Sequence, residues 1–169
     1  MQRTTRTLIA AAALAGLLPM RTACATVTAA AKAELVAQHN AWRAKYNVPP
    51  LVWDDAVAHT AQQWAEILAR SGTFTHRPDT PYGENIWTGS ADNFSMAAVV
   101  DDWSNEAEHF DLHTATCAAG KTCGHFTQIV WKTTTKLGCG KATGMDGNDY
   151  VVCNYDPAGN VGRQSPFGP

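Results

Sequence analysis

The chain has 169 residues, 45% of them hydrophobic, with 13 Lys and Arg against 15 Asp and Glu. That is enough apolar material for one domain with a substantial core. A slightly acidic balance without a basic run argues against nucleic acid as a partner.

The N-terminus opens with Arg3 and Arg6, continues as an apolar run over residues 8–18 and reaches Ala23-Cys24-Ala25, an A-x-A cleavage site. This is the organisation of a signal peptide. The apolar run falls short of the ~20 residues that a membrane span needs, and Arg21 stands where a lipobox would want an aliphatic residue. We therefore read residues 1–25 as a signal peptide and 26–169 as a single mature domain, secreted to the extracellular space or a bacterial periplasm. Cleavage removes three arginines and no acids, leaving 144 residues with a formal charge of −5. It also leaves four of the five cysteines, an even number suited to an oxidising compartment. No later segment is apolar enough to cross a membrane.

Leu35, His39, Trp42 and Tyr46 recur at helical spacing and predict a first helix over residues 29–46, ended by Pro49-Pro50. Asp54 or Asp55 caps a second helix that shares Val57, Ala61, Trp64 and Leu68 on one face, with Gly72 just past its end. Residues 72–93, rich in Gly, Pro, Thr and Asp, read mainly as irregular structure. A third helix over residues 95–108 buries Met96, Val99 or Val100, Trp103 and Ala107, with Ser104 and Asn105 as solvated positions. A short helix runs over residues 126–131. Strands over residues 136–142 and 149–156 flank a Gly144-Met145-Asp146-Gly147-Asn148 turn, a hairpin pattern. Residues 157–169 lack periodicity and read as a packed or frayed tail. The order of elements gives an α+β class.

Four cysteines allow three pairings. Cys139 and Cys153 lie symmetrically about Asp146, which suits cross-strand neighbours, and Cys117 and Cys123 would then close a short loop. A zinc cluster is the competing reading, without a C-x-x-C pair to support it.

Four motifs follow one another along the chain: His39-Asn40-Ala41-Trp42-Arg43, Gly83-Glu84-Asn85-Ile86, Gly124-His125-Phe126-Thr127-Gln128 and Cys153-Asn154-Tyr155-Asp156-Pro157-Ala158-Gly159-Asn160. Together they resemble the CAP family, which contains plant pathogenesis-related proteins of class 1, cysteine-rich secretory proteins and insect venom antigens. The resemblance implies a three-layer α-β-α sandwich with helices on both faces of a small antiparallel sheet, and the same disulfide pairing. It also implies that His76, Glu84, Glu106 (in a W-x-x-E helix after Trp103) and His125 gather in one open cleft.

Two neutral imidazoles, His76 and His125, can bind Zn²⁺ or another divalent cation and leave positions open for water or a carboxylate. Glu84 or Glu106 is then the candidate catalytic base or the holder of a water. Without metal the same set is a coupled titrating cluster. Glu84 equally suits a structural role, accepting backbone N–H groups. His39, on the apolar face of the first helix, reads as a satisfied core histidine, and His59, His109 and His113 as surface residues. The disulfides consume the cysteines, and neither a G-x-S-x-G elbow nor an H-E-x-x-H run is present.

Between Glu106 and Cys117, Phe110 and Leu112 mark a loop that is aromatic in some eukaryotic relatives and associated there with sterols. Here it is more polar, which suits a shallow groove for another lipid or a peptide. The expected protein is a secreted monomer that binds a lipid-like small molecule or an extracellular protein without turnover. The alternatives are a metal-assisted hydrolase or protease using the His/Glu tetrad, and an interaction module whose tetrad ties loops to the core.

Overall fold

The computed structural model describes residues 27–162 and 164–168. The expected signal peptide, its cleavage site and Cys24 lie outside the described residues. Helix α1 (Ala29–Lys45) starts at Thr28, whose hydroxyl accepts the Ala31 N–H. Strand β1 (Val52–Trp53) leads into α2 (Asp55–Ser71). Asp54 is the N-cap of α2, accepting from Ala56 and Val57 N–H, and Gly72 stops it with φ of 64°.

Next come β2 (Gly83–Ser90), α3 (Met96–Ser104), a 3-10 turn (Asn105–His109), and the short strands β3 (Phe110–Asp111) and β4 (Thr116–Cys117). Helix α4 (Gly124–Ile129) and the hairpin β5 (Lys136–Thr143) and β6 (Asn148–Asp156) complete the order. The segment expected to be irregular contains the eight-residue strand β2, and the third helix tightens into a 3-10 turn after Ser104.

The main sheet runs β1-β5-β6-β2, antiparallel except that β1 pairs with β5 in parallel. Strand alternation gives it two apolar faces. Ile86, Ala142, Tyr150 and Val152 pack under Ala61, Ala65, Leu68 and Ala69 of α2. On the other face Leu137, Cys139, Val151, Cys153 and Tyr155 join Leu35 of α1, Val99, Val100 and Trp103 of α3, and Phe126 and Ile129 of α4. The result is the expected α-β-α sandwich.

Both disulfides form as expected, Cys117–Cys123 and Cys139–Cys153. The tail is packed at Pro166 and Phe167, while Asn160, Val161 and Gly162 are exposed. The Lys132 N–H donates to the Pro166 carbonyl at 2.8 Å, and Phe167 stacks on Tyr46. Among the described residues no helix is long and apolar enough to cross a membrane.

Candidate functional site

Edge strand β2 organises the candidate site. Its alternation sends Glu84 toward the α2 face and Asn85 toward the α3–α4 face. Each side carries one His–Glu pair. Nδ1 of His76 donates to Oε1 of Glu84 at 2.7 Å, and the same oxygen accepts the Arg77 N–H at 3.0 Å. Nδ1 of His125 donates to Oε1 of Glu106, also at 2.7 Å. Oε2 of Glu106 accepts the backbone N–H groups of His125 and Phe126 at 2.9 and 3.2 Å.

Glu106 thereby caps α4, whose own N-cap residue Cys123 supplies no side-chain bond. Trp103 stacks on the His125 ring at 6.1 Å between centroids. Glu84 is nearly enclosed, 4% exposed at its side chain, whereas His76 is 60% exposed and His125 28%.

The two pairs therefore share one geometry. A carboxylate holds Nδ1, and among the described residues Nε2 has no hydrogen-bond partner. A carboxylate behind a histidine fixes its tautomer and makes the other nitrogen a better metal donor. Bonding to Glu84 raises the His76 pKa above the ordinary imidazole value, against burial and with help from the carboxylate's charge. Burial by itself would raise the Glu106 carboxyl. The bonds and charge of His125, with the N–H groups of Phe126 and His125, outweigh it and hold the group below the ordinary glutamate value.

Among the described residues, no three His, Cys, Asp or Glu side chains come together as a metal-ligating group. The donor set is thus two imidazoles on either side of β2, each backed by its own carboxylate.

Behind this pair runs a buried relay that sequence reading left undrawn. The Leu35 carbonyl accepts from His39 Nδ1 at 2.8 Å, so Nε2 is the acceptor for the Tyr155 hydroxyl, also 2.8 Å away. Asn85 Nδ2 donates to that hydroxyl and to the His125 carbonyl, both at 3.1 Å. His39 is fully buried and satisfied, as expected. Asn40 closes two bonds with the Leu51 backbone. Arg43 is wholly buried and donates to the carbonyls of Pro49, Ile129, Trp131 and Thr134.

Downstream, Thr127 Oγ1 donates to Asn160, and Gln128 accepts the Gly159 N–H. Much of each motif is therefore scaffold. The signal available in the sequence was a histidine, an asparagine and an arginine within one helical face.

The remaining candidates separate. Phe110 turns inward, edge-on to Phe126 and Phe167. Leu112 stays 56% exposed and lines a slot of about 300 Å³ with Lys45, Tyr46, Asn47 and Phe167. A larger groove of about 580 Å³ lies between α1 and β1, lined by residues including Val36, Leu51, Val52 and Trp53. His59 and His113 are exposed and His109 is partly so. Ser104 corrects its expected place: it is fully buried, and among the described residues Oγ has no partner, because it follows Val100 by one helical turn on the inward face of α3. Asn105 is exposed, as expected.

Comparison with known proteins agrees with this architecture. Pathogenesis-related protein 1A of Nicotiana tabacum is 42% identical over 129 residues, covering 76% of each chain. A pathogenesis-related protein of PR-1 type from Sambucus nigra is 39% identical over 134 residues, 79% of this chain and 80% of its own. Among solved structures, NaASP2 with Zn²⁺ superposes at a TM-score of 0.67 and 24% identity, covering 84% of this chain and 87% of its own. Venom allergen-like protein 4 of Schistosoma mansoni superposes at 0.62 and 21% identity, covering 77% and 90%. At those identities the structural likeness bears on the fold alone. Residues 36–155 match the description of the cysteine-rich secretory protein family as a whole, and the chain belongs to that family, CAP.

Proposed function

We propose that this chain is a secreted, monomeric binding protein that takes a divalent cation such as Zn²⁺ through Nε2 of His76 and of His125. Its partner is a lipid-like small molecule or an extracellular protein, and it works without turnover. The observation that carries the reading is the repeated geometry, with each imidazole held at Nδ1 by a carboxylate at 2.7 Å and its second nitrogen left for a ligand. When bound, the cation would supply a fixed positive charge at the rim of β2. Zn²⁺ is the cation named because NaASP2, a protein of similar fold, was solved with it.

The hydrolase alternative asks Glu84 or Glu106 to take a proton from water. Glu106 already accepts three hydrogen bonds and is held in its charged form, which makes it a poor base. Glu84 Oε1 is committed to His76 and Arg77. Both carboxylates are better fitted to orient histidines than to move protons. For an apolar ligand, the groove between α1 and β1 offers more apolar wall than the Leu112 slot.

Calorimetric titration of chelator-stripped protein with Zn²⁺ tests the metal half. Binding at micromolar concentration, lost in His76→Ala/His125→Ala, is the expected result. Equal heats from both proteins, or none from the wild type, would reduce the tetrad to its structural role.

A further inference from the structure

Among the described residues, three buried polar atoms on the α2 face of the sheet have no hydrogen-bond partner: Oε2 of Glu84 and both Oδ1 and Nδ2 of Asn154. They are neighbours. Glu84 and Asn154 stand directly opposite each other in the β2–β6 register, so their side chains leave the same face with Cβ atoms about 5 Å apart. On its other side Asn154 faces Gly138 of β5. The backbone of α2 closes over that glycine so tightly that a Cβ there would fall 2.1 Å from the Ala58 nitrogen. Asn154 is fully buried, and the Glu84 side chain is 4% exposed. Bulk solvent cannot satisfy either group.

Leaving such atoms unpaired costs roughly 1–3 kcal/mol each. One small molecule able both to donate and to accept relieves all three. A cation fits poorly, because the Asn154 amide offers a donor as well as an acceptor and the single carboxylate already carries a histidine. A water fits without that conflict.

We propose that a resident water binds between Glu84 and Asn154, donating to Glu84 Oε2 and bonded to the Asn154 amide. Asn154 is through it a positioning residue for the His76–Glu84 pair. The two carboxylate oxygens of Glu84 then have separate tasks. Oε1 serves His76 Nδ1 and the Arg77 N–H, and Oε2 is held from behind, which fixes the plane in which the carboxylate meets the imidazole. The motif Cys153-Asn154-Tyr155 acquires a division of labour. Tyr155 supports His125 through Asn85 on one face, and Asn154 supports His76 through Glu84 on the other. Only the metal half of the following test rests on the function proposed above.

Water-selective NOE and ROE spectra of labelled wild-type protein address the site directly. The Asn154 side-chain amide protons are expected to show cross-peaks of opposite sign in the two experiments, the mark of a bound rather than a diffusing water. Their absence overturns the site. Zn²⁺ titration of Asn154→Leu and Asn154→Ser addresses the positioning role. Leucine removes the bridge and is expected to weaken affinity about tenfold, while serine keeps a hydroxyl for the water and stays within about twofold of wild type. Wild-type affinity in the leucine variant overturns the role. A wild-type protein that shows the bound water but takes no zinc leaves this site standing and removes the metal reading instead.

Discussion

His39 shows how a single buried titratable group writes a pH dependence into the whole domain. Burial lowers its pKa from 6.5 to about 4, with Arg43 adding to the effect and the Leu35 carbonyl opposing it. The folded state therefore holds the imidazole neutral, and the unfolded chain binds a proton that the native state refuses. The associated stability is complete above pH 6.5 and drains away as pH falls toward 4, on the order of 3 kcal/mol in all. His76 acts with the opposite sign, since Glu84 raises its pKa and its contribution fades as pH rises. Urea unfolding across pH 7.5 to 4.5 should show the loss, and the His39→Leu variant, though weaker at neutral pH, should lose this part of the slope. An unchanged slope would mean that His39 does not titrate in this window. At this scale the sequence allowed His39 to be placed in the core from its helical face, and the motifs pointed to all four members of the tetrad. Which glutamate serves which histidine was not legible, because separations of 8 and 19 residues say nothing about which pairs the fold brings together. Ser104 reads as solvated in the sequence yet is buried, for a related reason: a small hydroxyl one turn from Val100 carries no apolar label.

Helix α2 lies on the sheet through matched periods. Gly138 and Gly140, two apart on β5, sit beneath Ala58 and Gln62, four apart on α2. Two strand residues advance roughly 6.8 Å and four helical residues roughly 6.0 Å, so the glycines form a track on which the helix backbone rests. A Cβ at Gly140 would fall 2.3 Å from the Gln62 Cα, a backbone atom that moves only if the helix moves. Gly140→Ala should therefore destabilise the domain by about 3 kcal/mol, while Gly124→Ala, which meets nothing within 4 Å, should stay within about 0.5 kcal/mol of wild type. Thermal melts of the two variants check the contrast, and equal melting points would refute the track. The long helices and the β5–β6 hairpin were readable because each repeats its own period, and the Asp146 centre of the hairpin predicted the register that opposes Cys139 to Cys153. Strand β2 was not readable. It is an edge strand whose inward residues on the two faces include Glu84 and Asn85, and polar side chains buried for a site erase the apolar alternation that marks a strand. Parallel β1, two residues long, carries no pattern at all.

Across the whole molecule, Arg43 is the point where the α1 layer is fastened to the rest. Its Nε donates to the Pro49 carbonyl at 2.6 Å, one Nη to Ile129 and Trp131 at 2.7 and 2.9 Å, and the other to Thr134 at 3.0 Å. These carbonyls come from the turn after α1, the end of α4 and the approach to β5, three segments with no shared ladder. Burial lowers the guanidinium pKa to about 10, partly offset by Tyr155, so the group stays charged at neutral pH. Among the described residues no carboxylate lies within salt-bridge distance of it. Its charge is stabilised by oriented backbone dipoles, including the negative end of α4. Lysine cannot replace it, since a single ammonium has three donors at one point and no fork to reach four separated acceptors. Arg43→Lys should cost at least about 3 kcal/mol, because buried carbonyls are left unpaired around a charge that has lost its fit. The same difference should persist in roughly 1 M salt, where the Debye length falls to about 3 Å and exposed ion pairs are screened, because the partners here are buried dipoles. Paired urea titrations of the wild type and Arg43→Lys at low and high salt decide the matter. A loss that shrinks strongly with salt would show an unrecognised ionic partner, and a negligible loss would show that the three segments hold together without the fork.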